Sequence, residues 1–565
     1  MKRIIALLLL AAVLLQCTPA PKKAGINRKS GLVAQSAMVV SAREEASEIG
    51  LAILKEGGNA FDAMVATDLA LLVAFPFAGN IGGGGFMVYR LNNGDCGAID
   101  YREKAPLAAT HDMYLDDKGE VIPGNSTLGA MAIGVPGTIA GLFAVHEKLG
   151  SFPMEDLIQP AIDLATKGVV VSEKQANRLN HYKQHFNTAN GRTILLDKEW
   201  TAGDTIRYQE LAGTLTRIRN NGKDEFYKGQ TAQLIVDYVQ QLGGILTMED
   251  LAAYEAKWRT PITFTYKDNK IIAMPPPSSG GICLAQILKS IEPFHIGQYK
   301  QNSVQYIQLL TEAERRAYAD RAHFLGDPDF VDIPTDSLTD QAYLNRRMAD
   351  FSWDKATLSS DVSHGELKGY ESNETTHYSI VDSQGNAVSV TTTLNGAYGS
   401  KVYVAGAGFF LNNEMDDFSS KPGTPNMFGL IGAEANAIAP QKRMLSSMTP
   451  TIVEQDGQLK MVVGSPGGST IITSVAQNIL NVLEYDMSMQ ESVSMPRFHH
   501  QWLPDDIRFE PGFDSLVFAP LRELGYLIDL SNSPIIGKVD AVLVLPDGTL
   551  EGGADPRGDD KAAGF

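Results

Sequence analysis

The pattern of apolar and polar positions divides the 565-residue chain into a leader, packed helices and paired strands. Ile4 to Leu15 is an unbroken apolar run behind Lys2 and Arg3. A helix of that length rises only ~18 Å, short of the ~30 Å of a membrane core. The pattern predicts a secretory signal over 1–16, and no later apolar run is long enough to span a bilayer. Ser41 to Lys55 predicts a helix capped by Ser41, with Glu44 and Glu45 in its first turn and Gly57-Gly58 as its stop. Asn59 predicts the cap of a second, more apolar helix to about Ala74, ended by Pro76 and Gly79. Two such helices in succession imply a packed layer.

Strand patterns cluster later, as pairs around turn residues. His377–Val381 and Ala387–Thr393 flank Asp382 to Asn386, and Thr451–Glu454 and Leu459–Val463 flank Asp456-Gly457. Val539–Leu545 and Thr549–Glu551 flank Pro546 to Gly548, with helices at about Val304–Phe324 and Thr470–Tyr485. Hairpins with interspersed helices predict an α+β fold of antiparallel sheets covered by helices, not parallel crossovers.

Composition narrows the function. At 44% hydrophobic and 20% charged residues, the composition allows a large core and argues against long disorder. A formal charge of −18 argues against nucleic acid or an anionic membrane surface as the main partner. The cysteines Cys17, Cys96 and Cys283 make no disulfide framework and no metal-binding pair. Cys96 and Cys283 read as buried small apolar residues. Leu14-Leu15-Gln16-Cys17 is similar to a bacterial lipobox, with Gln16 in place of the usual small residue. This predicts lipidation of Cys17, a tether over 17–30, and an exported chain, periplasmic or membrane-anchored. Ordinary cleavage near Ala20 is the alternative, although Pro21 would follow the cut.

Two glycine-rich segments, Gly82–Gly85 and Gly464-Ser-Pro-Gly-Gly468, lack the spacing of nucleotide loops. Each can be a tight turn or a cradle of backbone N–H groups for a developing oxyanion. Ser469 and Thr470 could cap a following helix, which favours the second segment for the oxyanion role. Glu371 to Ser379 carries Thr375-Thr376-His377-Tyr378. A threonine hydroxyl needs an adjacent base, and an N-terminal threonine supplies one in its own α-amine. That requires a cut before Thr375 or Thr376; the same residues can equally begin a strand.

The segment Asn373 to Ser379 resembles the processing site of the γ-glutamyltranspeptidases (glutathione hydrolases). Asn80–Phe86, Tyr101–Pro106, Pro275–Gly281, Ala319–Arg321, Leu325–Phe330, Asn412–Phe418, Leu445–Ser447, Gly464–Gly468, Pro496–His500 and Asp555–Arg557 resemble family segments in order. The likeness runs from about Gly31 to Phe565. It implies a four-layer αββα sandwich of the N-terminal nucleophile hydrolases, cut between Glu374 and Thr375 into a large piece, 31–374 after the tether, and a small piece, 375–565. Both pieces would stay in one unit. By the same likeness Thr375 is the nucleophile, Thr393 supports it, and Gly467 and Gly468 form the oxyanion hole. Arg102, Ser446 and Ser447 match the binders of a substrate α-carboxylate, and Asn395, Glu414 and Asp417 those of its α-ammonium. Donors would be glutathione and other γ-glutamyl compounds, acceptors water, amino acids or peptides, with no cofactor or metal. Without the family, Arg102-Glu103 reads as a surface ion pair and Asp416-Asp417 as a solvated loop.

One departure concerns the loop Lys421 to about Gly432, which resembles a lid. Phe428 stands where tyrosine is common. It lacks a hydroxyl to reach Asn395, which predicts a lid closed by packing alone. His499-His500 has no carboxylate or cysteine at ligand spacing and reads as structural. Rival readings are an acylase of the same superfamily, a poly-γ-glutamate depolymerase, or an uncut lipoprotein that binds γ-glutamyl compounds.

Overall fold

The computed structural model describes residues 30–191, 193–363, 375–530 and 535–565. The leader, Cys17, nearly all of the tether and Glu374 lie outside them. Two antiparallel sheets of seven strands each are stacked at the centre. In the first sheet the order is Lys561–Gly564, Met38–Ser41, Thr376–Val381, Ala387–Thr393, Gly84–Arg90, Cys96–Asp100 and Lys257–Arg259. In the second it is Leu32–Ala34, Leu550–Gly553, Asp540–Val544, Gln458–Gly464, Thr451–Gln455, Asn269–Ala273 and Ile262–Tyr266. Each of the three predicted hairpins is present, its turn residues joining two paired antiparallel strands.

Side-chain alternation explains the layers. On Thr376–Val381, Tyr378 and Ile380 join a core with the helices Glu44–Lys55, Ala60–Ala74 and Thr138–Leu149. A second core joins inward residues of both sheets, among them Val40, Val88, Met461 and Val463, to the helices Gly280–Ile291, Val304–Phe324 and Ile471–Leu483. The result is the αββα arrangement. The Ala60–Ala74 helix is buried on every side, as a helix with no polar face must be.

Asn59 caps that helix as expected, in a reciprocal box with Asp62. Two other expected caps are corrected. The Ser41 hydroxyl lies at the end of a strand and bonds to Arg43 O and Ser47 Oγ, so Glu44–Lys55 begins without a side-chain cap. The Thr470 hydroxyl donates back to Gly467 O at 2.8 Å, and Ile471–Leu483 likewise has no side-chain cap. Cys283 is buried, but Cys96 is only partly so. Among the described residues no helix is long and apolar enough to cross a membrane.

A polar seam runs between the sheets beside the apolar core. Ser379 Oγ donates to Asp540 O at 2.9 Å and Ser389 Oγ to Val463 O at 3.1 Å. Because the Ser379 hydrogen is committed, its contact with His377 Nε2 at 3.1 Å is donated by the imidazole. His377 Nδ1 therefore accepts from Thr391 Oγ1 at 3.0 Å. Burial lowers the His377 pKa to about 3, so the ring is neutral, as this chain of bonds needs. A Cβ on Gly464 would lie 2.2 Å from His377 Cε1, so glycine is required where that strand passes the ring. His377 thus ties the strand after Thr375 to the strand before Thr393 and to the base of the Gly464–Gly468 loop.

Candidate active site

Thr375 immediately precedes its strand and is 4% exposed. Thr376 pairs with Thr392, and the register continued by one residue sets Thr393 opposite Thr375. Thr393 Oγ1 accepts the Asn395 N–H at 2.7 Å, which leaves its own hydrogen to donate. Gly467 (φ +138°) and Gly468 (φ +54°) follow the strand Gln458–Gly464 and lead into a short 3-10 turn. Positive φ at two successive residues suits glycine and turns the backbone sharply. Among the described residues neither Gly467 nor Gly468 donates its N–H to another group of the protein. Thr375, Thr393, Asn395, Arg102, Asp417, Ser446, Ser447 and Gly468 line one cavity, with Phe428, Leu430, Met448 and Ile471. Glu414 lies behind it against Arg102, and Gly467 is next in chain to the lining. The structure therefore brings together every residue assigned to the site that it describes.

The surface readings of Arg102-Glu103 and Asp416-Asp417 are overturned. Arg102 is 1% exposed, its N–H bonded to Asp100 at the end of a strand and its carbonyl to the Tyr254 hydroxyl. Its guanidinium meets Glu414 Oε2 at 2.6 Å and Asp417 Oδ2 at 2.5 Å, with Glu103 Oε2 at 3.7 Å. One buried cation thus faces three buried carboxyls. Burial raises all three carboxyl pKa values although Arg102 opposes it: Glu103 to about 8, Glu414 well above its ordinary value, and Asp417 upward. Among the described residues neither Glu103 oxygen has a hydrogen-bond partner. Such a cluster holds protons, or it receives a second cation.

Two hydroxyls present the opposite chemistry. Ser446 Oγ accepts the Met448 N–H at 3.2 Å, and Ser447 Oγ accepts from Arg321 Nη2 at 3.2 Å. Among the described residues neither serine side chain donates to a protein acceptor, so both hydrogens are available to an anion.

The expectation of a lid held by packing alone is corrected. The Phe428 ring does pack on Gly468, where a Cβ would come 2.5 Å from its Cδ1. Its loop, however, is held by hydrogen bonds: Met427 N–H to Asp416 Oδ2 at 2.9 Å, Asn426 Nδ2 to Asp417 Oδ1 at 3.0 Å, and Gln501 Nε2 to Phe428 O at 3.3 Å. Met427 Sδ, 3.8 Å from Asn395 Nδ2, contacts the amide that a tyrosine hydroxyl was expected to meet. Beneath this loop the cavity measures about 20 Å³, room for about one water. Phe428 and Leu430 of the loop both line it. His499 is structural: its ring bonds Thr473 Oγ1 and Gln501 Oε1, and burial lowers its pKa to about 3. Among the described residues no group of His, Cys, Asp and Glu has the geometry of a metal site.

Residues 46–565 match the family model described as gamma-glutamyltranspeptidase. The chain is 46% identical over 537 residues to the glutathione hydrolase proenzyme of Escherichia coli K12, covering 94% of this chain and 92% of that one. The chain belongs to the γ-glutamyltranspeptidase family. A crystal structure of Helicobacter pylori γ-glutamyltranspeptidase aligns at 42% identity with a TM-score of 0.56, over 60% of this chain and 97% of that one. The crystal structure of a cephalosporin acylase from Bacillus halodurans, at 24% identity, aligns over 97% of this chain and 99% of that one with a TM-score of 0.84. It shares the fold, that of the N-terminal nucleophile hydrolases.

Sequence reasoning missed Glu103 and Arg321 beside this cavity of the γ-glutamyltranspeptidase relative, although both lie in segments that carried the family likeness. Glu103 yields a stability prediction. Its folded-state pKa, about 8, lies above the ordinary 4.5, so the folded chain holds the proton more tightly. Its contribution is full below the unfolded pKa and is lost as pH rises through about 8. Between pH 5 and 8 the ligand-free protein should lose stability with a slope of up to about 1.4 kcal/mol per pH unit from this group. Glu103→Gln should reduce that slope, measured as melting temperature against pH.

Proposed function

We propose that the chain is a self-processing γ-glutamyltransferase and glutathione hydrolase in which Thr375 is the nucleophile. Its hydroxyl attacks the Glu374 carbonyl, the C–N bond breaks as the acyl group passes to the hydroxyl and frees the Thr375 α-amine, and water then hydrolyses the ester to release the Glu374 carboxylate. An α-amine has a pKa near ~8, so much of it is neutral at working pH and can take the hydroxyl proton. Thr375 Oγ1 then attacks the γ-amide of the donor, with Thr393 donating to it. Negative charge develops on the former carbonyl oxygen, where the Gly467 and Gly468 N–H groups stabilise it. The amine leaves with the proton, and water or an acceptor amine resolves the γ-glutamyl ester.

The observation that carries the donor class is the charge arrangement: three carboxyls around one cation, and two available serine hydroxyls lining the same cavity. It fits the zwitterionic end of a γ-glutamyl group, whose ammonium would be the second cation. An acylase needs no ammonium grip, so the same arrangement disfavours that rival. Export and a lipid on Cys17 rest on the sequence of the leader.

Expression without residues 1–17, followed by intact-mass measurement and Edman sequencing, tests the reading. Two fragments are expected, the smaller beginning Thr375-Thr-His-Tyr, with release of glutamate from glutathione. A chain that stays folded and uncut for days would overturn it.

A further inference from the structure

Arg321 lies in the last turn of the helix Val304–Phe324 and is 4% exposed. Among the described residues no carboxylate comes within ion-pairing distance of its guanidinium. Its side-chain bonds are to hydroxyls: Nε donates to Ser279 Oγ at 2.9 Å and Nη2 to Ser447 Oγ at 3.2 Å. Ser279 in turn donates to Ser446 O at 2.7 Å. An arginine stays charged even when buried, and leaving that charge without a counter-ion is costly. The other buried arginines nearby are compensated: Arg102 meets Glu414 and Asp417, and Arg443 meets Asp100 at 3.3 Å.

The contrast between Arg102 and Arg321 is the informative point. The guanidinium of Arg102 is committed to Glu414 and Asp417, so alone it gives the site little free positive charge for an anion. Arg321 feels Asp417 only from beyond ion-pairing distance, and it reaches the cavity through a hydroxyl that lines it. Because Ser447 Oγ is fixed as the acceptor of Arg321, its hydrogen is turned away from the guanidinium and is free for a ligand. The Ser279 link holds the Ser446 backbone in the same way.

We infer that Arg321 is a positioning residue for donor specificity: it aligns Ser447 and supplies the net positive charge that makes the site select a free α-carboxylate. This rests on the proposed γ-glutamyl reading and adds to it a residue beyond the assigned carboxylate binders. Arg321 is not expected to touch the reacting atoms.

The test compares two donors on the processed enzyme: a γ-glutamyl anilide with a free α-carboxylate and the same anilide with an α-carboxamide. Wild type should favour the carboxylate donor in kcat/KM. Arg321→Gln should lower kcat/KM for the carboxylate donor about 10- to 100-fold, the range of a lost charge-assisted bond, mainly through KM. The carboxamide donor should change less than about 3-fold, so the preference collapses. Arg321→Lys keeps the charge without the fork and should recover part of it. If both donors weaken equally in Arg321→Gln, Arg321 only supports the fold and the inference fails. If wild type shows no preference, the carboxylate grip itself is wrong and the inference falls with it. Should Arg321→Gln not fold or process, Ser279→Ala and Arg321→Lys carry the same ratio test. An unchanged preference in both would overturn the inference.

Discussion

Thr375→Ala is expected to remain a single chain and to turn over no γ-glutamyl donor, a loss of at least about 10⁴-fold. Both reactions ask the same hydroxyl to attack a carbonyl. In self-processing the carbonyl belongs to the preceding residue, and in turnover it belongs to the donor. Alanine removes the only atom common to both, while the strand that follows keeps its pairing on both sides. Thr375→Ser should be cut and should turn over more slowly, because serine lacks the methyl group that restricts the rotamer. Mass measurement over days and an anilide assay check both variants. A Thr375→Ala chain that cuts itself at the same bond would assign the nucleophile elsewhere.

The second large effect is expected at Gly467 and Gly468, the glycines proposed to hold the oxyanion. Gly467→Ala should lower kcat by about 10²- to 10³-fold, the range for losing one oxyanion donor. At φ +138° an L-residue is strained, and its Cβ would also lie 2.4 Å from Thr470 Oγ1 and 3.2 Å from Gly537 Cα. The loop must therefore turn its N–H away. Gly468→Ala meets a different obstacle. Its φ of +54° is one that alanine can adopt at moderate cost, but its Cβ would collide with the Phe428 ring. Phe428→Ala in the same chain should recover part of the activity of Gly468→Ala and none of that of Gly467→Ala. Steady-state kinetics of the four variants checks this pattern. Equal rescue of both would mean that the glycines serve the lid and not the oxyanion.

Much of the layer structure was legible because alternation and turn chemistry act locally. Asn59 with Asp62, and Gly457 between two apolar runs, specify their elements over a few residues. The helix Val304–Phe324 appeared at its predicted bounds for the same reason. Burial of charge was not legible. Arg102-Glu103 has the local pattern of an exposed pair, and only the approach of Glu414 and Asp417, more than three hundred residues away in sequence, puts it in the interior. The cap expected of Ser41 failed because the chain pairs it as a strand end with Tyr378. His377 reads as an ordinary strand residue; its role depends on Gly464 and Asp540 arriving from the other sheet.

The strand order has a consequence for reversibility. In the first sheet Thr376–Val381 and Ala387–Thr393 lie between Met38–Ser41 and Gly84–Arg90, while Lys561–Gly564 closes the edge beyond Met38–Ser41. In the second, Leu32–Ala34 and Asn269–Ala273 flank four strands from beyond Thr375. Once the bond before Thr375 is broken, the pieces are interleaved and cannot part by dilution without melting both sheets. Denaturation of the cut protein is then a first-order event, whereas renaturation needs two chains to meet and becomes second order. The uncut precursor folds with one molecularity and the mature protein would refold with another. Recovery after heating should therefore depend on protein concentration for the mature form alone.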